Sequence, residues 1–335
     1  MSQSKLADRT GLTLKHVNQI ALGHAPISAE TAVALERATG VPATLWNNLE
    51  SKYQDHQIRS HEAEDLSRHR AWLDQMPLAD LRKRGCISAD RRQPGVLLQE
   101  VLQFFGVANI DAWEASWQQP AAAFLQSQAY DAKPASVAAW LRLGELAGAQ
   151  MRCAPFDRSA VKAALPQLRA LTVKKPEAFY PELLETCSSF GVCLVLVPEI
   201  PGARASGASR FLSPSKALVQ LSNRGKRNDL FWFAFFHEIG HVLLHSKKGT
   251  FIDPGPKYED KPVIEHEADR FAANLLIPAQ YERDLHAIRT PVDAVALADR
   301  IGIAPGVVAG RVRRETENWS FAQSLFDKFE VVEEQ

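Results

Sequence analysis

In Leu230-Phe-Trp-Phe-Ala-Phe-Phe-His-Glu-Ile-Gly-His241, seven apolar residues run directly into two histidines and a glutamate. A segment apolar on nearly every face belongs in a protein interior, where an unpaired imidazole is costly to bury. The polar residues therefore need a shared purpose. On a helix, residues four apart are separated by about 6 Å of rise and about 40° of turn, so His237 and His241 can converge on one metal ion. Zinc suits that H-E-x-x-H pair best. Glu238 points about 100° away from His237, on the flank from which a carboxylate reaches water rather than the metal.

A zinc site kept open for catalysis needs a third protein ligand. Candidates lie in Val263-Ile-Glu-His-Glu-Ala-Asp-Arg-Phe-Ala-Ala-Asn-Leu-Leu-Ile-Pro278, a second helix with its buried face at Ala268, Phe271, Ala272, Leu275 and Leu276. Glu265 and Asp269 share one face of it. One can bind the metal while the other accepts a hydrogen bond from a ligand histidine. Upstream, the period changes from helical to extended at Gly191. Val192–Val197 and Ala217–Leu221 read as short buried strands, separated by Gly/Pro/Ser turn signals. Asn228 or Asp229 is the expected cap of the metal-binding helix.

The N-terminal segment alternates helix and turn signals: a helix at Leu6-Ala7, Thr13 and Ser28 as N-caps, breaks at Gly23 and Gly40, and a fourth helix through Trp46, Leu49 and Tyr53. Residues 56–184 read as a helical connector, with Ala135–Gln150 its clearest helix and Trp140 and Leu143 as core. The expected class is α+β and mostly helical, divided into a bundle at 1–55, the connector at 56–184, a metal-binding core at 185–290 and a helical segment at 291–335.

These motifs resemble the ImmA/IrrE family of zinc metallopeptidases, through H-E-I-G-H-x-L-L-H at His237–His245 and E-x-x-A-D-x-F-A-x-x-L-L-x-P at Glu265–Pro278. The resemblance implies a zincin-like peptidase fold with Zn2+ held by His237, His241 and Glu265, Glu238 as catalytic carboxylate and Asp269 as a supporting residue. Glu267 is then a bystander. His245 is expected beside the site or at the surface, His266 and Tyr258 are candidate donors to a developing oxyanion, and the strand near Leu218 is a candidate to receive an extended substrate.

Leu6-Ala-Asp-Arg-Thr-Gly11, Ile27-Ser-Ala-Glu-Thr-Ala32, Thr39-Gly-Val-Pro42 and Trp46-Asn-Asn-Leu-Glu50 are similar to the Xre-type helix-turn-helix of HigA-like antitoxins. Such domains begin with a helix before the L-A-x-R segment, so here the first helix is expected to be missing. The recognition helix would offer Thr13, Lys15, His16, Asn18 and Gln19 to a major groove. Leu297-Ala-Asp-Arg-Ile-Gly302 echoes that segment near the C-terminus, where Arg311, Arg313 and Arg314 are candidate phosphate contacts, although packing against the peptidase is the stronger expectation. Together the resemblances imply an endopeptidase that cleaves a cognate repressor or antitoxin, with operator DNA and a second copy of the chain as further candidate partners. The competing reading is a DNA-binding regulator or antitoxin whose zinc site is non-catalytic or senses metal.

Composition agrees with a globular chain of several domains. Of 335 residues, 46% are hydrophobic and 23% charged, against a disordered or fibrous class. Thirty-nine basic residues balance thirty-nine acidic ones, so any attraction to DNA must be local. No segment reads as a signal peptide or a membrane span. The four dispersed cysteines read as reduced thiols, and a cytoplasmic protein is expected.

Overall fold

The computed structural model describes residues 1–66, 69–118, 133–222, 224, 226–245, 251–253 and 263–328. They fall into two compact units, residues 1–74 with 88–100 and residues 75–87 with 101–335.

The first unit begins with α1 (Gln3–Thr10), α2 (Leu14–Ala21), α3 (Ala29–Thr39) and α4 (Ala43–Leu66). Ser2, Thr13 and Ser28 each accept a hydrogen bond from a backbone N–H of the first turn, satisfying donors that a helix start leaves open. Ala7, Val17, Ala32 and Leu35 are the buried apolar residues of the first three helices. Hence α1 carries the Leu6-Ala-Asp-Arg segment, and the four helices read from the sequence are present, with α4 running well past Tyr53.

The second unit contains α5 (Leu78–Lys83) and receives the end of α6 (Pro94–Phe105). It continues with α7 (Pro134–Gln150), α8 (Arg158–Ala170) and α9 (Pro176–Ser189). Strands β1 (Val192–Leu196), β2 (Gly207–Ser213) and β3 (Lys216–Leu221) then lead into α10 (Asn228–Leu244), which is followed by β4 (Phe251–Asp253) and α11 (Val263–Leu276). Two further helices, α12 (Pro291–Ile301) and α13 (Pro305–Thr316), close it.

The sheet order is β1-β3-β2-β4. Val192 pairs with Ala217 in the parallel β1–β3 ladder, and β2 runs antiparallel to both β3 and β4. This corrects the expectation for Leu218: it lies in β3, whose two edges are already paired, so no extended peptide can add there.

One hydrophobic core draws Leu168 and Phe179 from α8 and α9, Leu194 and Val219 from the sheet, Phe235 and Phe236 from α10, and Leu297 and Val308 from α12 and α13. The expected boundaries at 184 and 290 therefore cut through shared packing. The helices on either side of 185–290 are walls of the core rather than a connector and a separate segment. Trp140 is fully buried, with its indole N–H donating to the Val197 carbonyl at 2.8 Å, whereas Leu143 is half-buried.

Almost every residue of α10 is buried, as its composition demands. Its N-cap is Arg227, one residue before the expected cap. Asp229 instead sits in the first turn, where a carboxylate complements the helix dipole, and Arg227 grips it at 2.5 and 2.9 Å. At the other end, the Arg158 guanidinium donates to the Leu243 carbonyl. Gly240 permits close packing of α11, because a Cβ there would lie 3.1 Å from Phe271 and 3.3 Å from the Ala268 backbone. Among the described residues, no helix is long and apolar enough to cross a membrane.

Candidate metal centre

Helix α10 brings His237 and His241 onto one face, and α11 presents Glu265 to both. The two Nε2 atoms are 2.9 Å apart. Glu265 Oε2 lies 3.2 Å from His237 Nε2, and Oε1 lies 3.2 Å from His241 Nε2. All three residues are buried, and their ligand atoms fall within 4.8 Å of one another.

Behind this trio stand groups that fix the imidazoles. His237 Nδ1 is 2.9 Å from Asp269 Oδ1, one turn after Glu265 on α11. An ionised carboxylate only accepts, so the His237 proton resides on Nδ1 and the Nε2 lone pair faces Glu265. His241 Nδ1 lies 2.9 Å from His245 Nδ1, and His245 Nε2 lies 3.0 Å from Glu267. Arg314, from α13, is 3.5 Å from the other Asp269 oxygen, and its guanidinium stands 5.2 Å from the Phe233 ring centre.

The donor set fits a cation. Two imidazole nitrogens and a bidentate-capable carboxylate form a concentration of electron pairs in a buried site, which an unpaired arrangement would not tolerate. Tetrahedral ligands at about 2.0–2.1 Å from zinc stand about 3.3 Å from each other, close to the 3.2 Å separations seen here. Burial alone would raise the Glu265 carboxyl, but the imidazoles of His237 and His241 beside it outweigh burial and hold the group at about 2. Burial lowers His241, opposed by its hydrogen bond with Glu265. Both shifts favour the forms a metal requires, a carboxylate and a neutral imidazole.

Glu238 is fully buried on the flank of α10 that meets β2. At Gly207, a Cβ would stand 2.6 Å from Glu238 Oε1 and 2.9 Å from its Cγ. The missing side chain of Gly207 is therefore the space Glu238 occupies.

Glu267 is exposed and lies outside the group of His237, His241 and Glu265, and its carboxylate pairs with His245. His266 is exposed, and Tyr258 lies outside the described residues. In the first unit, Thr13, Lys15 and Asn18 are exposed on or beside α2, and His16 and Gln19 are half-buried. The Thr13 hydroxyl is engaged as a cap, accepting from the His16 N–H at 3.1 Å. Near the C-terminus, the candidate phosphate contacts have other partners. Arg311 pairs with Glu315, Arg314 with Asp269, and Arg313 is buried and donates to the Phe321 carbonyl.

Two features of the centre escaped the sequence reading, whereas His245 stands beside the site, one of its two expected places, at 2.9 Å from His241. Arg314 arrives from a distant helix and Gly207 from an unrecognised strand, so neither carries a local signal.

Comparison with known families agrees with this geometry. Residues 195–313 match the model described as IrrE N-terminal-like domain, and residues 1–46 match a helix-turn-helix model. The first match runs from β1 into α13 and includes His237, Glu238, His241, His245, Glu265, Glu267 and Asp269, with Arg314 one residue past its end. No curated protein matches the chain. The chain thus joins an N-terminal helix-turn-helix to an IrrE-like domain of the metallopeptidase type, in which His237, His241 and Glu265 form a group that could hold a metal ion.

Proposed function

We propose that this protein is a zinc-dependent endopeptidase acting on a repressor or antitoxin, with the helix-turn-helix directing it to operator DNA. The observation that carries the catalytic reading is Glu238, a fully buried carboxylate on the turn between two histidines that share a third donor. A structural metal site has no need of that group, whereas peptide hydrolysis does.

His237, His241 and Glu265 would hold the metal. Bound there, zinc supplies a Lewis acid that polarises the scissile carbonyl and makes water more acidic. Glu238 takes the proton of the attacking water and returns it to the departing amine nitrogen. Asp269 keeps His237 in the tautomer that leaves Nε2 unprotonated, and Arg314 steadies Asp269. With β3 enclosed, an extended substrate would add along β4, the strand paired to β2 and hence to the Gly207–Glu238 contact. The substrate class rests on the likeness to ImmA/IrrE proteins. Lys15, His16, Asn18 and Gln19 are the proposed reading residues, with Thr13 holding the helix start.

Glu238→Gln tests this reading, since it preserves shape and hydrogen bonding but removes the base. The variant should retain zinc and lose at least about 100-fold in cleavage, measured on repressor or antitoxin candidates encoded beside the gene. If the zinc-loaded native protein cleaves none of them, and the variant keeps full cellular function, the protein is a regulator whose metal site is non-catalytic or senses metal.

A further inference from the structure

Cys153 and Cys193 are forty residues apart in the chain, yet their sulfurs are 2.8 Å apart. That is inside the contact distance of unbonded sulfurs and within about 1 Å of an S–S bond length. Cys193 lies on β1 and is fully buried, whereas Cys153, just after α7, is half-exposed.

The backbone holds them there from both sides. The Ala154 N–H donates to the Ser188 carbonyl at 2.9 Å, and the Phe156 N–H to the Ser215 carbonyl at 2.8 Å. Gly191, two residues before Cys193, has φ +81°, and any Cβ there would collide with the Phe156 backbone. That glycine lets the 154–156 segment lie against the start of β1. Lys216, on the neighbouring strand, ties down the same segment by donating to the Met151 carbonyl at 2.6 Å.

We propose that Cys153 and Cys193 form an oxidant-modified site, at which peroxide closes a reversible disulfide between the end of α7 and β1. The two sulfurs divide the chemistry. Burial, reinforced by the hydrogen bond with Cys153, pushes the Cys193 thiol up to about 12, so it remains protonated. The first attack therefore belongs to the accessible Cys153. Its thiolate attacks one oxygen of hydrogen peroxide, the O–O bond breaks, and Cys153 becomes a sulfenic acid while the other oxygen leaves as hydroxide and is protonated to water. Cys193 then attacks the Cys153 sulfur. The S–S bond forms, the S–O bond breaks, and the departing oxygen takes the Cys193 proton to leave as a second water. Each sulfur is oxidised by one electron and the peroxide is reduced by two.

The closed loop encloses α8 and α9. Phe179 of α9 packs 4.8 Å, centre to centre, from Trp232 of α10, so the bond fastens the support under the metal-binding helix. Cross-linking this loop should stabilise the folded unit.

The test is hydrogen peroxide treatment of the full chain, followed by thiol blocking, peptide mapping and thermal melting. A Cys153–Cys193 linked peptide, two hydrogens lighter than the reduced pair, is expected. Melting should rise by about 5–10 °C, and dithiothreitol should reverse both effects. In Cys193→Ala, Cys153 should gain oxygen without cross-linking, and peroxide should no longer raise the melting temperature. In Cys153→Ser, Cys193 should remain unmodified at the same peroxide dose. That second variant carries the test if the buried substitution fails to fold. A link from Cys153 to Cys187, the buried cysteine of α9, a Cys153 sulfinic acid beside free Cys193 in the native chain, or no reaction at all would overturn the proposal.

Discussion

Each side chain at the centre answers to a neighbour that restricts what it can do. Glu265 and Glu267 are two residues apart on α11, yet one is buried against both histidines and the other reaches only His245 from the exposed side. Glu265→Gln should therefore abolish stoichiometric zinc, while Glu267→Gln should retain it, as metal analysis of purified protein will read directly. Asp269 is a step removed. Loss of such an orienting carboxylate typically lowers metal affinity by about 10–100-fold, and Asp269→Asn should fall in that range when titrated against a competing chelator. Arg314→Ala should produce a smaller loss in the same direction, because Arg314 reaches His237 through Asp269. The H-E-x-x-H spacing and the four-residue interval from Glu265 to Asp269 were legible in the sequence because a helix converts intervals of four into shared faces. Arg314 was not, since its place depends on how α13 packs, which no local spacing encodes.

Among the elements, those with a strong periodic or apolar signal were readable and those without one were not. α10, α11, β1 and β3 each advertise themselves by composition. β2 does not: Gly207-Ala-Ser-Arg-Phe-Leu-Ser213 is half polar and begins with a residue that disfavours strands. Its place comes from pairing with β3 and β4, and its first residue lacks a side chain because Glu238 fills the space. Gly207→Ala should consequently cost far more activity than stability. Cleavage should fall at least about 10-fold, by displacement of the base, with zinc content unchanged; equal activity in the variant would mean that Glu238 has room to move and that the contact is incidental. Gly310 plays the corresponding part between α13 and α10, since a Cβ there would overlap the Asp229 carboxylate, itself buried and clamped by Arg227. Gly310→Ala should destabilise the second unit by about 1–3 kcal/mol, read as a lower denaturant midpoint at an unchanged slope. The C-terminal echo of the helix-turn-helix, legible as a pattern, thus serves as packing. Gly306 and Val307 are buried where the N-terminal copy carries Lys15 and His16.

For the molecule as a whole, the equality of thirty-nine positive and thirty-nine negative residues limits how it can hold DNA. Nonspecific affinity comes from phosphate neutralisation, and its salt slope counts the phosphates contacted, at about −0.9 per contact on duplex DNA. The helix-turn-helix exposes Lys5, Arg9 and Lys15 on α1 and α2 and Arg37 on α3, while Asp8, Glu30 and Glu36 offset three of these charges. The plot of log affinity against log salt should accordingly be shallow, with a slope no steeper than about −3, and sequence preference should rest on base contacts from α2. Lys15→Ala should flatten the slope by about one and weaken all sequences alike if it meets phosphate, whereas Gln19→Ala should reduce discrimination between operator and random DNA while leaving the slope in place. Mobility shifts of the native chain and both variants at several salt concentrations separate the two roles. A steep native slope would mean that basic residues outside α1 and α2 reach the duplex, and the balance of charge across the chain would then conceal a local basic surface rather than exclude one.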